Sequence, residues 1–352
     1  MSVLPEGEVS HHIPRLDFEL TTGCDHRCGH CYNVWNPSSA ADARGEAAYP
    51  RGTLDTEAMW AMMTKALDES GADQVTITGG EPLLRRDAVS LIERLCTRVK
   101  SVQLITNGSH VTPKVAARFA AAGLRTVQLT LLSADRDTHD RLKGAVCFDD
   151  TVRAALDLRE AGVPVQCCFV ATRENAGALA GVMELCLVLG IRGLSYNRMS
   201  STGWAVDEIE RLMPEVEQVE ADLETAQRLG PRYQIHVSTA MPIPPCLIRM
   251  GRYPHVKFGF CSVGSHSPNI VIDPLGNVRS CNLSNTVLGN IREQSWAELH
   301  THPYLQSFPR TVPATCRGCA YERTCQGGCK ESGAATGGGL EALDPFVAQA
   351  LP

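Results

Sequence analysis

Three cysteines stand within eight positions of one another in TTGCDHRCGHCYNVW, residues 21–35: Cys24, Cys28 and Cys31, spaced C-x3-C-x2-C. Thiolates so close together on one segment suit a soft metal. A structural zinc site takes four protein ligands, and His26 and His30 stand near enough in sequence to supply one. A cluster of four irons takes one cysteine per iron, so three cysteines leave one iron open to a ligand from outside the protein. The spacing admits both readings. A second short motif, GGEP at 79–82, carries paired glycines, which let backbone approach a ligand closely and leave its N–H and C=O groups available.

The elements around these motifs alternate. Strand-like runs fall at 15–20, 73–79, 101–106, 126–132, 164–171 and 193–197, and helical periodicity falls at 56–70, 87–99, 112–122, 150–161 and 177–190. Several of the helical runs stop at Gly71, Gly123, Gly162 and Gly190. Strands separated by helical crossovers make a parallel sheet, and the expected fold is α/β, a partial (β/α)6 TIM-like barrel. Both motifs then sit at the carboxyl ends of strands, the mouth where such barrels carry out their chemistry. Alternation along the strands places Asp17, Glu19, Gln128, Thr130, Gln166 and Cys168 on one face. Strands buried on both faces normally read as continuous Val, Ile and Leu, so this polar face predicts a ligand cavity.

The chain has 352 residues, 43% hydrophobic and 20% charged, with a net charge of −6. That balance offers no basic surface for nucleic acid or anionic lipid. The first residues lack a charged-then-apolar export signal, and the longest apolar run, 177–190, is short for a membrane span. The expected location is cytoplasmic. Fifteen cysteines in a reducing compartment read as metal ligands before disulfides. Cys96, Cys147, Cys167 and Cys186 have no patterned partner and read as core residues; Cys168, if it faces the cavity, could donate a hydrogen atom.

Residues 207–229 read as one long helix, followed by the strand YQIHVS. Past about 240 helical periodicity fades and Gly, Pro, Asn and Cys dominate, with a hairpin at 269–281 turning over Asp273–Asn277. The expected organisation is an N-terminal tail at 1–13, a barrel at 14–200, a bridging region at 201–240 and a cysteine-rich α+β domain at 241–352. Taken alone, Cys316-x2-Cys319-x5-Cys325-x3-Cys329 would serve as a four-cysteine zinc site.

C-x3-C-x2-C followed by Tyr32, with GGEP after the second strand, resembles the radical S-adenosylmethionine (SAM) superfamily. Where many members have an aromatic before the last cysteine, His30 stands here. The resemblance implies that Cys24, Cys28 and Cys31 hold a 4Fe–4S cluster whose open iron binds SAM. It places Gly79, Gly80 and Glu81 at the methionyl amino end, and Asn107, Thr130 and Ser133 as further cofactor contacts. The chemistry implied is reductive cleavage of SAM to a 5′-deoxyadenosyl radical that removes hydrogen from a substrate, with an external electron donor such as flavodoxin or ferredoxin. Cys261-x14-Gly276-x4-Cys281, GNI at 289–291 and CQGGC at 325–329 extend the likeness to the SPASM domain that follows many such barrels. That likeness implies two auxiliary 4Fe–4S clusters, one on Cys246, Cys261, Cys281 and Cys329, the other on Cys316, Cys319 and Cys325. No cysteine follows Cys329, so the usual last ligand is missing, and Asp344 is a candidate replacement.

SPASM-bearing relatives mostly modify ribosomally made peptides by crosslinking, epimerisation or oxidation, and that is the expected function. About thirteen residues precede the first strand, too few for a leader-binding domain, so a separate leader-binding protein is a possible partner. Residues 36–53 are a candidate substrate lid. A sulfatase-maturing role would put Asp directly after Cys281, where Asn282 stands. A small-molecule oxidoreductase and a non-catalytic iron–sulfur carrier are the alternatives.

Overall fold

The computed structural model describes residues 13–45, 47–263, 265 and 268–351. The N-terminal tail expected at 1–13 lies outside them except for Ile13. One sheet organises the chain. Its parallel strands are β1 (Arg15–Glu19), β2 (Gln74–Thr78), β3 (Ser101–Thr106), β4 (Thr126–Thr130), β5 (Val165–Ala171), β6 (Gly193–Arg198), β7 (His236–Ser238) and β8 (Val256–Lys257). They neighbour one another in chain order. The two edges of the sheet do not pair, so the barrel is open.

Helices α1 (Ser39–Ala43), α2 (Thr56–Ser70), α3 (Ala88–Arg98), α4 (Pro113–Ala122), α5 (Arg136–Lys143), α6 (Phe148–Glu160), α7 (Leu179–Leu189), α8 (Ile209–Leu212) and α9 (Val216–Tyr233) fill the connections. Polar caps start several of them. Asp55 accepts from the Ala58 amide at 2.9 Å, Thr112 from Val115 at 3.3 Å and Asp135 from Thr138 at 2.9 Å. The expected stops at Gly71, Gly123 and Gly190 are the C-caps of α2, α4 and α7. The single helix expected at 207–229 is two. Met213 ends α8, and Pro214, which has no N–H to donate, separates it from α9. The sequence also gave no sign of α5, whose only apolar side chain is Leu142; the Asp135 cap and the buried ring of His139 hold it instead.

The tail enters the same sheet. β9 (Ile270–Ile272) runs parallel to β1, pairing Asp17 with Val271, and β10 (Asn277–Arg279) and β11 (Val287–Asn290) continue antiparallel. The hairpin turns at Asp273–Asn277 as expected: the Asp273 amide donates to Asn277 O at 2.9 Å, and Asp273 Oδ1 accepts from Leu275 and Asn277. One apolar core runs from Ile13 and Phe18 to Ile272, Val278, Trp296 and Phe346, so the sheet and its core cross residue 240 without a break. Two fully buried ion pairs fasten tail to barrel, Arg279 to Glu19 and Arg198 to Asp344. Leaving one charge of such a pair alone inside costs about 3–5 kcal/mol.

Asp222 on α9 is buried against β6 and takes a hydrogen bond only from the Tyr196 hydroxyl, at 3.1 Å. Burial pushes its carboxyl from 3.8 up to about 7. The folded chain therefore keeps a proton that the unfolded chain releases, and this stabilisation is full below about pH 4 and lost as pH rises through about 7. Asp222→Asn is expected to flatten the pH dependence of thermal unfolding and to stabilise the protein at pH 8 by up to about 4 kcal/mol. The two proteins should unfold alike at pH 4; a difference that persists there would contradict the assignment.

Candidate active site

The loop bearing Cys24, Cys28 and Cys31 leaves β1 and packs backbone to backbone on the GGEP turn that follows β2. The Gly80 amide donates to Thr21 O and the Glu81 amide to Gly23 O, each at 2.8 Å. A Cβ on Gly80 would fall 2.1 Å from the Gly23 carbonyl oxygen, and one on Gly79 2.6 Å from that of Thr21. Both positions therefore exclude a side chain, and Gly79 also sits at φ 136°.

The Glu81 side chain is completely buried and joins its own turn to the end of β3. Oε1 accepts from the Leu83 amide at 2.9 Å and the Thr106 hydroxyl at 2.7 Å, and Oε2 accepts from the Asn107 amide at 2.7 Å. Burial pushes the carboxyl up while these donors pull it down. Asn107 passes the network on. Its Nδ2 donates to Asp25 Oδ1 at 2.7 Å and its Oδ1 accepts from the Ser109 amide at 2.9 Å. His110 bonds Asp25 Oδ2 at 2.9 Å, and His26 bonds the Ser109 hydroxyl at 3.1 Å. The end of β3 is thus tied to the cysteine loop from both sides. Trp204 donates to Cys28 O at 2.8 Å, the Arg27 guanidinium lies 5.2 Å from the Trp204 ring, and Asn36 reaches Cys31 Sγ at 3.8 Å.

Burial pushes the Cys24 thiol up to about 11 and the Cys31 thiol up to about 12, and the neighbouring thiolates repel one another in the same direction. Two thiols that resist ionisation, Cys24 and Cys31, fit a group that brings positive charge of its own. The zinc reading does not fit. A single tetrahedral ion with metal–sulfur bonds of 2.3 Å draws its ligand sulfurs to about 3.8 Å of one another. Among the described residues the only metal-ligating group of three within 4.8 Å is His139, Asp140 and Cys147. His26 and His30 are held neutral by burial, down to about 4 and about 3, and neither joins the thiols at that range. The wider spacing of the cysteines suits a multi-iron cluster.

The mouth opens onto the polar face of the sheet. Thr130, Cys168, Ser195 and Ser238 lie in register across β4 to β7, as do Gln128 and Gln166. Thr130 is half-buried at the end of β4, and the Ser133 hydroxyl accepts from the Asp135 amide at 3.0 Å. Cys168 is buried and lies 3.6 Å from Asn197 Nδ2. Tyr32 faces the same interior, where Cys31, Glu19, Cys168 and Asp17 all push its hydroxyl up beyond the effect of burial. Asn269 donates to Asp17 Oδ2 at 2.7 Å, while Asp17 Oδ1 is buried with no partner. Burial raises both acids, Glu19 to about 7 against the pull of Arg279. Cys167 and Cys186 lie in the apolar core, Cys96 packs against it and Cys147 is buried, as expected.

The tail cysteines fall into two sets that differ from the expected ones. Cys281 is repelled by Cys261 and Cys329. Cys246 instead lines one open hollow with Cys316, Cys319 and Cys325. The likeness to SPASM puts it beside Cys261, Cys281 and Cys329; the PIPPC turn sets it on the wall that the other three share. Asp344 is not free to ligate. Its Oδ2 pairs with Arg198 and accepts from the Cys329 amide at 2.8 Å, and its Oδ1 caps Phe346 at 3.0 Å. The candidate lid at 36–53 is strapped down. Tyr49 donates to Asp273 Oδ2 at 2.9 Å, the Ser39 amide to Asp207 at 2.8 Å and Arg51 to Trp35 O at 3.0 Å.

Sequence reasoning missed the His139, Asp140 and Cys147 group. Asp140 Oδ1 already accepts from the amides of Cys147 and Phe148, and the buried Lys143 ammonium repels positive charge from His139, so the group braces α5 on α6. No local pattern marks that group. Asn282, singled out in the sequence only as the residue after Cys281, stands beside Asp17 at the seam between barrel and tail.

A parallel barrel with three thiols at its mouth and a cysteine-rich tail on the same sheet defines an iron–sulfur enzyme. Residues 18–186 match the radical SAM superfamily and residues 261–320 match SPASM, an iron–sulfur cluster-binding domain. The chain thus carries a radical SAM domain followed by a SPASM domain, and these domains imply SAM and 4Fe–4S clusters as cofactors. It is 29% identical over 341 residues to a PqqA peptide cyclase of Xanthomonas campestris pv. campestris, covering 93% of this chain and 84% of that one. In fold it resembles Streptococcus suis SuiB bound to S-adenosylmethionine, with a TM-score of 0.71, 17% identity, and 95% of this chain and 76% of that one covered. The structure of SuiB bound to its precursor peptide SuiA gives the same TM-score and identity, covering 95% and 75%.

Glu81→Gln keeps the size of the side chain but turns an N–H2 toward one of its three donors. A buried donor left unpaired costs about 1–3 kcal/mol. The variant is expected to be less stable than the wild type by that amount, to unfold at lower temperature, and to bind SAM more weakly. Equal stability in apoprotein melts would show that the carboxylate is not a fastener.

Proposed function

We propose that this enzyme installs a crosslink, an epimerised centre or an oxidised residue in a ribosomally made peptide through a substrate radical. One observation carries the reading: the three-thiol loop opens onto a polar sheet face that the cysteine-rich tail borders through β9. The names of the relatives support a peptide, since one is a peptide cyclase and another is seen with a precursor peptide. When bound, a reduced cluster on Cys24, Cys28 and Cys31 supplies the electron that cleaves SAM to the hydrogen-abstracting radical.

The chain's own residues do the positioning. In this reading the peptide groups of Gly79, Gly80 and Glu81 meet the cofactor at its methionyl end. The Glu81 carboxylate and the Asn107 amide act from behind, holding that backbone against the cysteine loop. Thr130 and Ser133 border the other side. Asp17 and Glu19, both raised by burial, are the acids able to hold a proton near the reacting centre. Cys261, Cys281 and Cys329 lie on the tail side of the seam, where an auxiliary cluster would take up or return an electron. Barrel (14–200), bridge (201–240) and auxiliary-cluster region (241–352) would act as one unit. An external donor of the flavodoxin or ferredoxin kind would supply electrons, and a separate leader-binding protein would help to deliver the peptide. Among the described residues no helix is long and apolar enough to cross a membrane, and a cytoplasmic location suits the oxygen-sensitive clusters.

The test is anaerobic reconstitution, reduction and addition of SAM with short peptides encoded beside the protein. The expected products are 5′-deoxyadenosine and a peptide that has lost two hydrogens or gained solvent deuterium. Absence of 5′-deoxyadenosine from fully loaded, reduced protein would instead mark an electron carrier. Its formation with no change in any peptide would favour a small-molecule substrate.

A further inference from the structure

The tail holds seven cysteines, and the structure divides them four and three. The CQGGC segment makes the division. Gly327 and Gly328 follow one another at φ 89° and 90°, a left-handed pair that turns the chain between Cys325 and Cys329. Neither glycine has room for a side chain: a Cβ would meet Pro313 at 2.7 Å in one case and Asp344 Oδ2 at 2.7 Å in the other. Cys325 is left facing the hollow with Cys316 and Cys319, while Cys329 is buried beside Asp344 and the Arg198 ion pair.

Into that hollow comes Cys246. The Pro244–Pro245 pair before it lines the wall, with Tyr321, Glu322 and Gly327 around the rest. Cys246 and Cys319 are exposed, and Cys316 and Cys325 are half-buried. All four face one space, yet no three of them come within 4.8 Å. That separation is too wide for one tetrahedral ion and leaves space between the thiols for a cluster.

We propose that Cys246 is the fourth ligand of the outer auxiliary cluster, completing it with Cys316, Cys319 and Cys325, and that the inner cluster is held by Cys261, Cys281 and Cys329 alone. The outer cluster is thereby saturated with protein thiolates, and an open iron belongs to the inner one, next to the seam where Asp17 and Asn282 lie. Among the described residues, the side chains nearest the inner set offer no fourth thiolate. Lys330 donates to Gln326 and Phe308 O, Glu331 accepts from Tyr304 and Ser280, and Asp344 is consumed by Arg198. The vacancy suits a small anionic or thiol-bearing ligand from substrate or solvent. This rests on the reading of the tail cysteines as iron–sulfur ligands.

Two measurements test it. In the holoprotein, cysteine alkylation followed by mass spectrometry during slow chelation should release Cys246 in step with Cys316, Cys319 and Cys325, and apart from Cys261, Cys281 and Cys329. Release with the inner set, or free labelling before chelation, overturns the proposal. Cys246→Ser in a background lacking Cys24, Cys28 and Cys31 should perturb the Mössbauer and EPR signature that Cys319→Ser perturbs. Combined with Cys319→Ser it should disturb only that one signature; combined with Cys281→Ser it should disturb two distinct cluster signatures. Sharing the Cys281→Ser signature would overturn the assignment, as would a spectrum unchanged from the background. A background protein with no tail iron at all would sink the cluster reading itself, a result distinct from either. The alkylation series needs no variant and decides the matter even if Cys246→Ser does not fold.

Discussion

The completely buried carboxylate of Glu81 is the fastening on which the mouth of the barrel depends. It gathers the Leu83 amide, the Thr106 hydroxyl and the Asn107 amide, while the adjacent peptide groups bond to Thr21 and Gly23. A carboxylate inside protein costs several kcal/mol unless its lone pairs are satisfied, so the geometry around it has little freedom. The three cysteines inherit that rigidity. Their loop carries few apolar side chains of its own, and its shape is set by backbone contacts to GGEP, by Asp25 held from Asn107 and His110, and by Trp204 on Cys28 O. Weak local preference is converted into a fixed constellation by one well-partnered charge.

The same device recurs where barrel meets tail. Arg279 reaches Glu19 and Arg198 reaches Asp344, both pairs buried. Each joins a barrel strand to the cysteine-rich region, and removing one partner would leave the other charge buried and uncompensated. Asp344 accepts from the Cys329 amide, and Glu19 stands in register with Thr78 of β2. The auxiliary cysteines are therefore positioned by groups that also hold the strands beneath the active site.

Much of this was legible in the sequence. Parallel strands, the helices between them, the triad and the tail hairpin all rest on short-range signals: alternation, 3.6-residue periodicity, caps and turn residues. The break at Pro214 was also written in the sequence, since a proline there lacks the N–H a continuous helix needs; the apolar period across it misled. What could not be read depends on long-range approach. α5 is held by a cap and a buried imidazole in place of an apolar stripe. The company kept by Cys246 depends on how the Pro244–Pro245 turn meets a segment some seventy residues later, and the likeness to SPASM pointed the other way. Asp344 looked like a free carboxylate because its partner, Arg198, lies on a distant strand.

The parallel pairing of β9 with β1 has a further consequence. β1 would otherwise be a bare edge, offering Leu16, Asp17 and Phe18 to any passing strand. Its partner lies about 250 residues away, as the Asp17–Asn269 contact shows, so loop closure is slow to be rewarded. Until the cysteine-rich region docks, the barrel carries an apolar, unpaired edge, a template for intermolecular association. The tail is thus also the chain's own guard against aggregation, and the conditions that let its cysteines fold into place govern how soluble the nascent enzyme is.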